Sequence, residues 1–99
     1  MIINKKFALC AIQILMPSTC LNDIKRVHHE EYTFETELYE YRVKRDGNIP
    51  AVYVRFKATG QLSMLIYVRP SKDYRNNPCA VLTKKVGYRD LSKRPDFIV

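Results

Sequence analysis

Ala51-Val52-Tyr53-Val54-Arg55-Phe56-Lys57, then Ala58-Thr59-Gly60, then Gln61-Leu62-Ser63-Met64-Leu65-Ile66-Tyr67-Val68-Arg69: two alternating runs meet at a glycine, and the register between them decides the fold. A two-residue Thr59-Gly60 loop would set Arg55 beside Met64 and mix the faces of the hairpin. A three-residue loop, with Gly60 in the left-handed conformation of a bulged type I turn, pairs Lys57 with Gln61 instead. Val52, Val54, Phe56, Leu62, Met64, Ile66 and Val68 then share one face. Tyr53, Arg55, Lys57, Ser63, Leu65, Tyr67 and Arg69 share the other, as the two-residue period of a strand requires.

The run before this hairpin alternates too, with Tyr39, Tyr41 and Val43 against Leu38, Glu40, Arg42 and Lys44. It leads into Arg45-Asp46-Gly47-Asn48, a turn signal, so the three runs predict an antiparallel meander. If Tyr39, Tyr41 and Val43 join the apolar face, the opposite face collects Arg42, Lys44, Tyr53, Arg55, Lys57, Tyr67 and Arg69. Cations interleaved with aromatic rings suit a nucleic-acid backbone and unstacked bases. Long cationic side chains also serve simply to solvate a sheet face and guard its edges.

Charge placement points the same way. The chain has 99 residues, 46% of them hydrophobic, enough for one globular α+β domain over residues 1–99. Residues 1–41 carry four basic and six acidic side chains, whereas residues 42–99 carry thirteen basic and four acidic. A net charge of +7 gathered in and after the meander favours an anionic partner, whether RNA, DNA, a membrane surface or an acidic protein, of which a membrane is not expected.

Outside the meander the pattern is less specific. Phe7 to Met16 is almost continuously apolar after Lys5-Lys6, and is expected to be a central strand buried on both faces. With Pro17-Ser18-Thr19-Cys20 behind it, the same stretch also has the order of a weak secretory signal, but it is too short to span a bilayer. Ser18 or Thr19 is expected to cap a short helix reaching about His29, with Leu21, Ile24 and Val27 on its buried side. Glu30 to Glu37 is expected to be extended, since Tyr, Thr and Phe dominate it. Pro70 to Pro78 is polar and bracketed by prolines, a surface loop that carries Lys72, Tyr74 and Arg75 beyond the basic face. Cys79 to Val86 is expected to be a last strand and Gly87 to Val99 a basic tail.

Cys10, Cys20 and Cys79 are odd in number and widely spaced, which fits reduced thiols in a cytoplasmic protein better than a disulfide framework. Cys20 with His28 and His29 is a poor metal set, because adjacent histidines on an extended chain point to opposite sides. No metal and no cofactor is expected. Glycine-rich phosphate loops, zinc spacings and nucleophile–histidine sets do not occur.

Leu38-Tyr39-Glu40-Tyr41-Arg42-Val43, the Asp46-Gly47 turn, Val52 to Phe56, Gly60, Leu62 to Val68 and the basic segment Arg69-Pro70-Ser71-Lys72 follow one another in an order that resembles the RelE/HigB superfamily of ribosome-dependent, messenger-RNA-cutting toxins. The resemblance covers about half the chain. It departs at Ala51, where the family usually has arginine, in a longer basic loop, and in a stretch before Leu38 too short for the usual helix pair. It implies a metal-independent endoribonuclease that attacks through the RNA 2′-hydroxyl, which needs a proton acceptor, cations on the phosphate and a donor to the leaving oxygen. Arg69, with Arg55, would hold phosphate, and Lys72 or Tyr74 would move protons. Two other classes fit the same residues. One is a non-catalytic nucleic-acid-binding module using Arg42, Lys44, Tyr53, Arg55, Lys57, Tyr67 and Arg75. The other is a small phage or mobile-element protein that inhibits a host nuclease or defence complex, or pairs with an acidic antitoxin.

Overall fold

A computed structural model describes residues 2–73, 75–76 and 81–86, the last of these as backbone. It has one helix, α1 (Lys5–Gln13), and six strands: β1 (Lys25–His28), β2 (Glu31–Glu35), β3 (Tyr39–Asp46), β4 (Ile49–Phe56), β5 (Leu62–Pro70) and β6 (Val81–Val86). All pair antiparallel in sequence order, so the architecture is an α+β fold built on a single meander. The expected three-stranded core is there, and it extends by β1 and β2 on one side and β6 on the other. The expectations for Cys79 and for Gly87 to Val99 lie outside the described residues.

Two N-terminal expectations are overturned. The Phe7–Met16 run is helical over α1 and not a buried strand. Asn4 supplies the reason at its start, where its side chain accepts the Phe7 N–H at 2.8 Å and caps the first turn. Spacing supplies the rest. Ile3, Phe7, Ala8, Ala11 and Ile12 recur at helical intervals and are all within 1% of complete burial. Ala8 and Ala11 are small enough to bring the helix axis close to the sheet. The second correction concerns Ser18 to His29, which forms one 3-10 turn over Leu21–Asp23 and then β1. Of its three apolar residues only Ile24 is buried; Leu21 and Val27 are 45% and 40% exposed, so no helical face exists to bury.

The sheet has a near face, covered by α1, and a far face. Tyr32, Tyr41, Val43, Val52, Val54, Ile66 and Val68 join the helix in the main core on the near face. Ala51, Tyr53 and Leu65 form a smaller buried cluster on the far face. At the β3–β4 hairpin, Gly47 (φ +62°) and Asn48 form a two-residue turn closed by Asp46 and Ile49.

The central register is as expected where it matters and differs at its tip. Ala51, Val52, Tyr53 and Val54 face Tyr67, Ile66, Leu65 and Met64. Nearer the loop the pairing slips to Arg55 with Leu62, leaving Ser63 as a bulge. Phe56 and not Lys57 meets Gln61, donating to its carbonyl at 3.0 Å, so the loop has four residues with Gly60 left-handed at φ +72°. The slip reverses one side chain: Leu62, expected on the near face, packs against the far-face cluster.

Cys10 is a further correction. It is buried at 4% exposure and disulfide-bonded, where a reduced thiol is expected; Cys20 is exposed and free. No described helix is long and apolar enough to cross a membrane.

Candidate nucleic-acid interface

Strand alternation places Arg42, Lys44 and Asp46 of β3, Ala51, Tyr53 and Arg55 of β4, and Leu65, Tyr67 and Arg69 of β5 on the far face. Arg42, Tyr53 and Leu65 form one cross-strand row, and Lys44, Ala51 and Tyr67 the next. The sequence-derived cations and tyrosines therefore do converge. Their environments differ sharply.

Tyr53 is 3% exposed, with the Lys44 ammonium 5.1 Å from its ring centroid. That is cation–π distance, and it leaves the charge rather than the ring at the surface. Ala51 is the small residue between Lys44 and Tyr67, and it leaves room for the Tyr67 hydroxyl to reach across β4 and donate a short hydrogen bond to Asp46. Tyr67 is thus anchored in the sheet and half-buried.

The β3 arginines are compensated. Arg42 pairs with Glu31 at 2.6 Å and with Glu40 at 3.4 Å. Arg45, on the near face, grips Glu30 with Nε at 3.1 Å and Nη2 at 3.0 Å, a bidentate fork. Glu30 also accepts the Ile3 N–H at 2.9 Å, which ties the approach to α1 to the β1–β2 turn. Its carboxyl pKa is lowered to about 2 by the Arg45 hydrogen bonds first and the Ile3 N–H second. Among the described residues Glu30 is alone in combining a side chain with a left-handed φ, +58°, a conformation that persists when surrounding contacts hold it. Lys57 lies in the exposed loop 3.5 Å from Glu35, and Arg55 donates to the Gly60 carbonyl at 3.3 Å.

The cations of β5 and the loop behind it are different. Arg69, Lys72 and Arg75 are exposed and make no ion pair or side-chain hydrogen bond among the described residues. Arg69 borders an open groove of about 400 Å³ that is also lined by Arg45, Asn48, Ile49, Pro50 and Pro70. Tyr74 lies outside the described residues. No three His, Cys, Asp or Glu side chains gather into a metal-binding group among the described residues.

Sequence reasoning missed the counterions. Glu30, Glu31 and Glu35 come from the β1–β2 turn and β2, and only the β2–β3 register, with Tyr32 opposite Val43, brings them to Arg45, Arg42 and Lys57. It also missed a second groove of about 440 Å³ lined by Tyr39, Phe56, Gln61, Leu62 and Ser63. Its signal was present in Tyr39 and Phe56, which pair across β3 and β4. No protein-family model, curated protein or solved structure matches this chain.

Proposed function

We propose that this protein binds RNA through the β5 side of the far face and the loop that follows it. The observation that carries the proposal is the set Arg69, Lys72 and Arg75, three exposed cations without a counterion among the described residues, continued along the sheet by Lys44 over Tyr53. Phosphates would supply the missing charge, and the affinity would fall with salt as counterions are released. Arg55 and Lys57 extend the positive surface, whereas Arg42 is already compensated and belongs to the scaffold.

The likeness to RelE/HigB toxins extends the proposal to cleavage, with Arg69 on the phosphate and Lys72 or Tyr74 handling protons. RNA as target places the protein in the cytoplasm. A structural disulfide at Cys10 belongs instead to an oxidising compartment. The redox state of Cys10 in intact cells separates the two locations.

The test is binding to short single-stranded RNA and to duplex DNA across a salt series, with degradation followed in the same mixtures. Salt-dependent RNA binding weakened by Arg69→Ala supports the interface. Cutting that disappears in Lys72→Ala while binding persists supports the toxin-like activity. A protein that neither binds nor cuts overturns both and leaves the basic surface to an acidic protein, such as an antitoxin or a host defence component.

A further inference from the structure

The groove at the opposite end of β4 from Arg69 has a composition that the cationic face lacks. Tyr39 and Phe56 sit at paired positions of β3 and β4, with ring centroids 5.6 Å apart and planes tilted by 56°, and both are only partly buried. They end a ladder of rings: Tyr41 lies 6.5 Å from Tyr39, and Phe34 lies 5.7 Å from Tyr41. Packing against Tyr41, which is in the core, restricts the motion of Tyr39. The Ser63 bulge then turns Leu62 toward the far face and brings Ser63 to the groove wall with Gln61. The Gln61 side-chain amide and the Ser63 hydroxyl make no hydrogen bond among the described residues, so both are available to a ligand.

Aromatic walls, an uncommitted amide and a hydroxyl match one ligand chemistry well. A nucleobase has π faces to stack on the rings and donors and acceptors around its edge. An aliphatic protein side chain would leave the amide and hydroxyl unpaired, an unfavourable outcome once water is excluded. A cation for the adjoining phosphate stands nearby, since Arg55 is paired directly across from Leu62. The volume is within the usual range for small-molecule sites.

Building on the RNA-binding reading, we propose that the groove lined by Tyr39, Phe56, Gln61 and Ser63 holds one unstacked base of a single-stranded RNA. The rings stack on the base, and Gln61 and Ser63 bond its edge. The protein then reads single strands in preference to duplex, because a paired base cannot enter.

The experiment compares wild type, Phe56→Leu and Gln61→Ala on two labelled strands of equal length, a single-stranded RNA and the same backbone without bases. Wild type is expected to bind the abasic strand about tenfold more weakly, the scale of one lost stacking contact. Phe56→Leu is expected to bind RNA only as well as the wild type binds the abasic strand, and to bind the abasic strand unchanged. Gln61 is exposed, so truncating it removes no buried contact, and Gln61→Ala, expected to weaken RNA binding but not binding to the abasic strand, tests the same site should Phe56→Leu unfold. Equal affinity of wild type for both strands overturns the base site while leaving phosphate-driven RNA binding in place. Binding to neither strand overturns the RNA reading itself. Resonances of Tyr39 and Phe56 shifted by an apolar peptide and not by RNA overturn the base site in favour of a protein partner.

Discussion

The two faces of this sheet follow the same alternation and do different work. On the near face, side chains from β2 to β5 meet Phe7, Ala8, Ala11 and Ile12 in a core from which charge is absent. On the far face the buried side chains among the described residues are Thr33, Ala51, Tyr53 and Leu65, and charged or polar groups lie directly over or beside them. A strand that buries residues on both sides has no face free for solvent along its length. Among the described residues, exposure on the far face is concentrated at β5 and its loop, and there the cations stand without described counterions. Burial therefore supplies the stability of the near face, while the far one keeps cations at its surface that the fold itself does not neutralise.

The largest effect is expected from breaking the near face. Phe7→Ala removes a completely buried ring between helix and sheet, and should lower the unfolding free energy by about 3–5 kcal/mol in urea titration. A loss under about 1 kcal/mol would mean that α1 does not dock as described. On the far face, Tyr67→Phe deletes a hydrogen bond to the Asp46 carboxylate. The cost should be about 1–2 kcal/mol by the same measurement, and unchanged stability would show that the pair does not form in solution.

Charge substitutions sharpen the contrast between compensated and uncompensated cations. Arg69→Ala should lower the slope of log affinity against log salt for RNA by about one. Arg42→Ala, whose charge is already met by Glu31 and Glu40, should change that slope far less. Equal effects would mean that the ion pairs open on binding.

The smallest effect at neutral pH is expected at Glu30. Its carboxyl titrates at about 2 in the fold against an ordinary 4.5. A depressed carboxylate pKa contributes stability that is complete above about pH 5 and is lost as pH falls toward about 2. Glu30→Gln should remove that part of the acid sensitivity, seen as denaturation midpoints at about pH 3 and pH 7 that lie closer together than in the wild type. An identical pH profile in wild type and variant would dissociate Glu30 from the docking of the α1 approach.

Much of the sheet was legible because strand alternation is a strong signal when apolar and charged residues alternate cleanly. Ala51 to Val54 against Met64 to Tyr67 is such a case, and its register followed from facial consistency. Phe7 to Met16 was not legible as a helix from polar contrast, because an almost continuously apolar run masks the period of its buried face. Asn4 as a cap and the 7, 8, 11, 12 spacing were the available signals. The candidate site was half legible. The convergence of Arg42, Lys44, Tyr53, Arg55, Tyr67 and Arg69 on one face follows from alternation, while the burial of Tyr53 and the neutralisation of Arg42 do not.

The sequence by itself determined the meander, its two glycine turns at Gly47 and Gly60, and the collection of positive charge in and after it. These depend on neighbours a few residues apart, where periodicity and turn chemistry operate. Only the tertiary structure decided which cations remain free, which aromatic rings line a groove, and that the N-terminal run is a helix. Each of those depends on partners distant in the chain: Glu30 and Glu31 for the β3 arginines, the Ser63 bulge for the Tyr39 and Phe56 groove, and the apolar face of the sheet for α1.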